Sequence, residues 1–427
     1  MRSADLVVKN LGQLLTCQGS IPKRGKALRD LGQLEDTTIA SYKGKIVFIG
    51  HFTHFEKKFS LEEGGEIFDG CGQIGLPGFV DSHNHLPFAG SREKEFALRL
   101  SGYTYQQLAA QGMGIQTTVK ATRQATQAEL ESLCLKRLDS MLLHGTTTTE
   151  GKSGYGLNRE DEIKQLEALR TANSKHPIEI ISTFLGAHEI PPEFREDKSS
   201  YIDLLIGTIL PEIKEKKLAQ FVDVFCEEGV YTIEETRRII RAASALGMKA
   251  KIHADEFAPL NGAILAAEEG ALSADHLMAI TPEGIKVIAQ SETAATFLPA
   301  VSFFLMHEKK APARDLIDSG AIVALASDFN PGSSMTESMH FIMQLAVFTM
   351  KMEIEEAITA ATANAAYAIG QQDRVGSLEV GKQMDLVLCE IPNYLYLVYH
   401  LGINPVTHVI KNGKIVVKNR QLVYSSK

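Results

Sequence analysis

The sequence predicts an α/β fold: a (β/α)8 barrel of the TIM type joined to a small β-sandwich built from both chain termini. Three observations predict it. Eight short β-rich runs alternate with helix-patterned segments through the middle of the chain, and eight βα units are the number that closes such a barrel. Similar strand-and-turn phrases stand near both ends. Histidines and aspartates gather where the proposed strands stop, and those ends share the one face of a barrel on which active sites form.

The terminal phrases come first. Asp5-Leu6-Val7-Val8 reads as a strand, and Lys43-Gly44-Lys45-Ile46-Val47-Phe48-Ile49 as a hairpin entered through a glycine turn. Near the other end Met384-Asp385-Leu386-Val387-Leu388 echoes the first phrase. Asn412-Gly413-Lys414-Ile415-Val416-Val417 echoes the second, with the Asn-Gly pair that favours a tight hairpin. The ends of a domain commonly lie close together, so the two units are expected to join. The division expected is 1–76 and 373–427 for the sandwich and 77–372 for the barrel.

Within the barrel the β-rich runs fall at 78–85, 145–150, 179–188, 221–228, 249–256, 272–276, 293–300 and 321–328. The segments 127–143, 159–172, 233–246 and 311–319 space Leu, Ile and Ala among charges as helices do, and a helical tail follows at 336–350 and 354–369.

Composition narrows the function classes. With 427 residues, 44% of them apolar, the chain can bury a large core. A net charge of −8 offers no basic field for nucleic acid. Five scattered cysteines form no C-x-x-C pair, which argues against a disulfide framework or a thiolate metal cluster and fits a reducing cytoplasm. The first ten residues carry charges and no apolar targeting core, and no run approaches the roughly 18 apolar residues of a membrane span. A small-molecule partner is expected, with neither nucleic acid nor membrane.

The chemistry begins in Gly78-Phe79-Val80-Asp81-Ser82-His83-Asn84-His85-Leu86. Side chains at i and i+2 of an extended segment point to one side, so His83 and His85 can converge on one ion. Of the 13 histidines, His83, His85, His188, His253 and His276 all fall at proposed strand ends, and Asp328 ends the eighth run. A single histidine there would be unremarkable; convergence from several strands is not. His51, His54, His144, His176, His307, His340, His400 and His408 fall elsewhere and are expected to be structural. Three imidazoles from His83, His85 and His253 with the Asp328 carboxylate suit Zn²⁺ or iron rather than Mg²⁺ or Ca²⁺. A water on such an ion is acidified towards neutrality, and Asp328 is placed to take its proton. The fourth run contains no lysine to bridge a second ion, so one metal is expected.

Other residues are less determined by spacing. Glu256, three positions past His253, is either a proton carrier or a salt-bridged carboxylate. His276 either stabilises an oxyanion or packs behind the metal ligands. Arg92 is either a bidentate carboxylate clamp or a surface arginine opening a charged helix. Lys152-Ser153-Gly154-Tyr155-Gly156 and Asn330-Pro331-Gly332-Ser333-Ser334 are loops whose N–H groups can cradle an anion or simply turn the chain.

A set of phrases decides more. Gly90-Ser91-Arg92-Glu93-Lys94-Glu95-Phe96, Lys152-Ser153-Gly154-Tyr155-Gly156-Leu157, Gly186-Ala187-His188-Glu189, His253-Ala254-Asp255-Glu256-Phe257 and Ser327-Asp328-Phe329-Asn330-Pro331-Gly332-Ser333-Ser334 occur in this order. In them the chain resembles the imidazolonepropionase family of the amidohydrolase superfamily, from about Asp5 to Val423. The resemblance implies hydrolysis of 4-imidazolone-5-propanoate to N-formimidoyl-L-glutamate, the third step of histidine degradation. It implies one Zn²⁺ or Fe²⁺/Fe³⁺ per subunit on His83, His85, His253 and Asp328. Substrate contacts carry over to Arg92, Tyr155, His188, Glu256 and Ser333, and product contacts to Tyr155, Asn330 and Gly332. Asp328, His276 and Glu256 are the catalytic set, and the family precedent is a homodimer. A deaminase of the same superfamily and a non-catalytic assembly homologue are the alternatives. The chain departs from the family phrase at Asn84 and Pro87, and has Gly112-Met113-Gly114 where a run of glycines is usual; these bear on substrate scope more than on metal binding.

Overall fold

The computed structural model describes residues 2–103, 107 and 113–424. Gly112, the first residue of the Gly112-Met113-Gly114 phrase, lies outside the described residues. Two sheets organise the chain. The first strand, β1 (Arg2–Leu15), pairs antiparallel with β2 (Gln33–Tyr42), which pairs with β3 (Lys45–Gly50). It also pairs parallel with β4 (Phe59–Asp69) and β5 (Ile74–Pro77). The eight parallel strands that follow are β6 (Phe79–Asp81), β7 (Thr146–Lys152), β8 (Glu179–Ala187), β9 (Phe221–Cys226), β10 (Lys249–Ala254), β11 (Ser273–His276), β12 (Ala294–Phe297) and β13 (Ile322–Leu325). The chain then returns to the first sheet through β14 (Leu386–Cys389), β15 (Val406–Lys411), β16 (Lys414–Lys418) and β17 (Gln421–Leu422).

The two ends meet where β5 pairs antiparallel with β14, giving one nine-stranded sheet. This sheet folds over on itself. The Ile46 amide donates to Lys382 O at 2.9 Å and the Met384 amide to Gly44 O at 2.9 Å, so β3 closes against the approach to β14. Leu6, Val8, Leu14, Ile39, Met384, Leu386 and Ile410 fill the interior. The hairpin turns of the two ends touch. Gly44, at φ +79°, has no room for a side chain, because a Cβ there would stand 2.3 Å from Asn412 Oδ1.

The barrel strands run parallel in sequence order from β6 to β13. They are shorter than the apolar runs suggest: β6 stops at Asp81 and β13 at Leu325, short of the histidines and Asp328. Closure between the first and eighth strands is made beyond both, by Asp328 N donating to His83 O at 2.9 Å and His85 N to Phe329 O at 3.1 Å. The Asp81 carboxylate reinforces the seam by accepting from Ser327 N at 2.9 Å and Ser327 Oγ at 2.5 Å. The residues that bear the chemistry are therefore also the joint of the barrel.

Helices flank the strands. Those at Gln127–Leu143 and Ile233–Ala245 open on threonine capping boxes, Thr126 with Glu129 and Thr232 with Glu235. The tail expected as one helix over 354–369 is two, Ile354–Ala360 and Ala363–Ala368. Thr362 divides them: its backbone leaves the helical region and its hydroxyl donates to Ile358 O at 2.6 Å. No helix among the described residues is long and apolar enough to cross a membrane.

Candidate metal centre and active site

Past Asp81 the strand ends and the chain bends at His83, yet His83 and His85 project to the same side, as their spacing predicts. Their Nε2 atoms lie 3.3 Å apart. Asp328 Oδ1 stands 3.4 Å from His83 Nε2 and 3.1 Å from His85 Nε2. The His253 ring centres 4.4 Å from that of His83 and 5.5 Å from that of His85. All four residues are buried, and Asp328 Oδ1 accepts no hydrogen bond. Ligands held about 2.1 Å from a common ion in a tetrahedral array stand about 3.4 Å from one another. The separations among His83, His85 and Asp328 match that spacing, and the nitrogen-rich set fits zinc or iron.

The protonation states agree. Burial holds His83, His85, His188 and His276 well below the ordinary imidazole range, and the Lys152 ammonium adds to this at His83, His85 and His276, so these rings are neutral donors. Burial pushes the Asp328 carboxyl up to about 7, with His253, Asn330, Lys152 and Ser333 opposing. Nδ1 of His83 is hydrogen-bonded to Asp275 Oδ2 at 2.6 Å, and Nδ1 of His253 lies 2.9 Å from Asp223 Oδ2 without hydrogen-bond geometry, which leaves Nε2 of each ring to face the donor cluster.

Two of the residues reach the site through left-handed backbone. Regular alternation would send His276 to the opposite side from Asp275. A φ of +81° at His276, followed by +63° at Leu277, turns the ring back inward. Asp328 sits at φ +50°. The His276 Nδ1 is 3.5 Å from Glu256 Oε1, and neither ring nitrogen has a hydrogen bond. Burial, with Asp328 and Glu227 nearby, raises Glu256 well above the usual carboxylate range.

A cavity of roughly 590 Å³ opens over this cluster. Arg92, Tyr155, His188, Glu256, Asn330, Gly332 and Ser333 line it together with His85, His253, His276 and Asp328. His83 lies beneath, fully buried. His188 stacks 5.0 Å from His85 and donates from Nδ1 to Gly154 O at 3.0 Å, leaving Nε2 an acceptor. His307, expected to be structural, is exposed at the rim, 5.9 Å from the Phe257 ring. Asn84 turns away from the donors and gives its Nδ2 to Asp81 Oδ2 at 3.1 Å, while Pro87 O accepts from Gln165 Nε2 at 2.7 Å.

Two expectations change form. The bidentate edge of Arg92 is held by Glu95, with Nε at 2.9 Å and Nη2 at 2.5 Å, so the fork is fixed from behind and Nη1 lies towards Gly332. Neither glycine-containing loop is an anion cradle. The amides of Gly332 and Ser333 donate to Asn330 Oδ1 at 2.8 and 2.9 Å, and those of Gly156 and Leu157 to Glu162 Oε1 at 2.8 Å each. Buried side chains have already taken these N–H groups, Asn330 from within its own loop and Glu162 from the helix Arg159–Lys175 that follows. Lys152 is not in a loop: it ends β7 and is fully buried.

Sequence reasoning passed over Asp223, Asp275, Glu150, Lys251 and Glu95. A signal existed for some of them: Glu150 and Lys152 stand at i and i+2 beside the threonine run of β7, and Lys251 stands two positions before His253 in β10.

The amidohydrolase family model matches residues 74–416. The imidazolonepropionase of Alkaliphilus oremlandii is 48% identical over 420 residues, covering 98% of this chain and 99% of that protein. The chain belongs to the imidazolonepropionase family. The imidazolonepropionase of Clostridium tetani is 47% identical, over 98% of this chain and 99% of its own length. Among solved structures, a zinc-bound adenosine deaminase of Xanthomonas campestris superposes with a TM-score of 0.70 at 18% identity, covering 100% of this chain and 95% of its own. A triazine hydrolase of Arthrobacter aurescens does so with a TM-score of 0.76 at 17% identity, covering 98% and 96%. These more distant structures share the family's fold.

Proposed function

We propose that this imidazolonepropionase-family chain hydrolyses the ring amide C–N bond of 4-imidazolone-5-propanoate to give N-formimidoyl-L-glutamate. The observation that carries the reading is one cavity furnished differently on its two sides. One side presents His85, His253 and Asp328, with His83 buried beneath them, and the other the Arg92 guanidinium. A substrate with a ring carbonyl and a carboxylate tail fits that pairing.

A zinc or iron ion held by those four residues would polarise the ring carbonyl and acidify a water at neutral pH. Arg92, braced by Glu95, holds the propionate so that the carbonyl rather than the tail meets the donor cluster. Asp328, its carboxylate beside the donor cluster, accepts the proton of the attacking water. His276 is aimed at the oxygen on which charge develops. Protonated Glu256 gives its proton to the departing ring nitrogen, so the carbonyl carbon leaves as a carboxylate and the nitrogen as part of the formimidoyl group. His188 and Tyr155 fix the plane of the ring, and Ser333 and Asn330 hold the loop that carries Asp328. We place the catalytic unit at 77–372 and the protein in the cytoplasm as one copy of a homodimer.

The test is ring opening of imidazolone propionate, followed as loss of the substrate's ultraviolet absorbance, with elemental analysis of the same preparation. About one zinc or iron per chain and turnover abolished by chelator are expected. Metal-loaded protein that releases ammonia from heterocyclic amines and leaves imidazolone propionate intact would replace this reading with a deaminase. A preparation that neither binds metal nor turns over would indicate an assembly role.

A further inference from the structure

Beneath the metal donors lies a cluster of five charged side chains that the proposed mechanism does not use. Glu150 and Lys152 come from β7, Asp223 from β9, Lys251 from β10 and Asp275 from β11, and all five are fully buried. Lys152 Nζ lies 2.5 Å from Asp223 Oδ2 and 2.9 Å from Glu150 Oε2. Lys251 Nζ lies 3.0 Å from Glu150 Oε2, 3.7 Å from Asp275 Oδ2 and 2.6 Å from Ser82 O. Thr183 Oγ1 donates to the other Glu150 oxygen. Burying five charges is costly, and an apolar core of the same volume would serve stability at least as well. The cluster's outward contacts give it another use: Asp223 touches His253 Nδ1 and Asp275 touches His83 Nδ1.

Asp223 has one anchor of its own, Oδ1 accepting from His253 N at 3.2 Å, and Asp275 Oδ1 has none; without a second anchor each aspartate could rotate, and each imidazole could put its proton on either nitrogen. The lysines remove that freedom. Lys152 fixes the Asp223 oxygen that faces His253, while Lys251, tied to the carbonyl of Ser82 next to His83, stands beside the Asp275 oxygen that faces His83. Glu150 bridges the two ammonium groups and couples both branches.

We propose that Lys152 and Lys251 are positioning residues, which hold Asp223 and Asp275 so that His253 and His83 carry their protons on Nδ1 and turn Nε2 to the metal. The inference rests on the reading of His83 and His253 as metal ligands. Each lysine acts through an aspartate and then a histidine, and neither lines the cavity. Partners that orient a ligating histidine typically contribute 10–100-fold in metal affinity.

The experiment measures metal affinity by competition with a chromophoric chelator for the full chain, its K152M and K251M variants, D223N, and the K152M/D223N double variant. Each single variant is expected to bind zinc about 10–100-fold more weakly. The double variant should be no weaker than the worse of its two parents, because Lys152 and Asp223 act in series. Cobalt-substituted protein should show an altered visible spectrum in K152M. Imidazole ¹⁵N NMR of the wild type should show His83 and His253 as Nδ1–H tautomers before metal is added, a readout that stands even if every variant misfolds. Unchanged zinc affinity in folded K152M and K251M, additive losses in the double variant, or Nε2–H tautomers in the wild type would each overturn the inference. A wild type that binds no metal would instead overturn the ligand assignment beneath it.

Discussion

Gly332→Ala separates substrate binding from folding. The backbone of Gly332 lies outside the left-handed region, so alanine is tolerated there by the chain itself. The added Cβ would stand 2.2 Å from Arg92 Nη1, 3.0 Å from its Cζ and 3.3 Å from Asn330 Oδ1. Ordinary contact begins near 3.4 Å, so the guanidinium must retreat by about 1 Å or more. Glu95 grips Nε and Nη2 in a pair only 13% and 7% exposed, so the retreat misaligns that fork as well as the face offered to the substrate. A charge-assisted hydrogen bond is worth about 1.5–3 kcal/mol, and tenfold in affinity corresponds to about 1.4 kcal/mol. Loss of one such bond lowers kcat/KM by roughly 10- to 150-fold. The loss should appear mostly in KM, with kcat within a few-fold of wild type. Arg92→Ala, which removes the whole group, should raise KM at least as much. The assay is steady-state ring opening across substrate concentration, with metal content and Tm measured in parallel. Unchanged kcat/KM would refute the placement of Arg92 as the carboxylate anchor; a collapse of kcat with KM preserved would put Gly332 in the chemical step instead.

Three further outcomes are expected. Asp328→Ala should abolish turnover by at least about 10³-fold, since it removes both a donor and a proton acceptor, while far-ultraviolet circular dichroism stays that of the wild type. In Ellman titration the native protein should release one fast equivalent, from exposed Cys71. Burial withholds the rest until denaturation, raising the Cys17 and Cys226 thiols to about 11 and those of Cys134 and Cys389 to about 12. His340 supplies a pH dependence: burial, opposed by its contact with Leu397 O, lowers it from 6.5 to about 4. Below pH 6.5 the unfolded chain binds a proton that the folded one refuses, so stability falls as pH drops from 6.5 towards 4. At pH 5 this one group should cost about 2 kcal/mol relative to pH 7 in urea unfolding. His340→Gln, which can still donate to Leu397 O, should flatten that limb.

Much of the site was legible because strand geometry is so regular. His83 and His85 share a side by their spacing alone. His188, His253 and Asp328 were found by asking what stands at the ends of apolar runs. The helix at Gln127–Leu143 begins and ends where its pattern does, because a capping box and a clean apolar stripe point to the same residues. What could not be read depended on which groups had already been taken by a partner distant in sequence. The amides of 154–157 and 332–333 look available in the sequence, but Glu162, Gln165 and Asn330 hold them. Lys152 looked like a loop lysine because nothing local shows that Asp223, 71 positions away, receives it.

The sequence by itself determined the fold class, the terminal sheet and the family, and it singled out the four residues proposed to hold the metal, since each follows from periodicity, from spacing or from an ordered set of phrases. Only the tertiary structure decided how the first and eighth strands close on the metal residues themselves. It also showed how left-handed backbone at His276 turns a ring against the strand's own alternation, and how Glu95 holds one edge of Arg92 and leaves Nη1 towards Gly332. These are relations between residues tens to hundreds of positions apart, or backbone angles that neighbours far along the chain enforce. Local preferences carry no record of them.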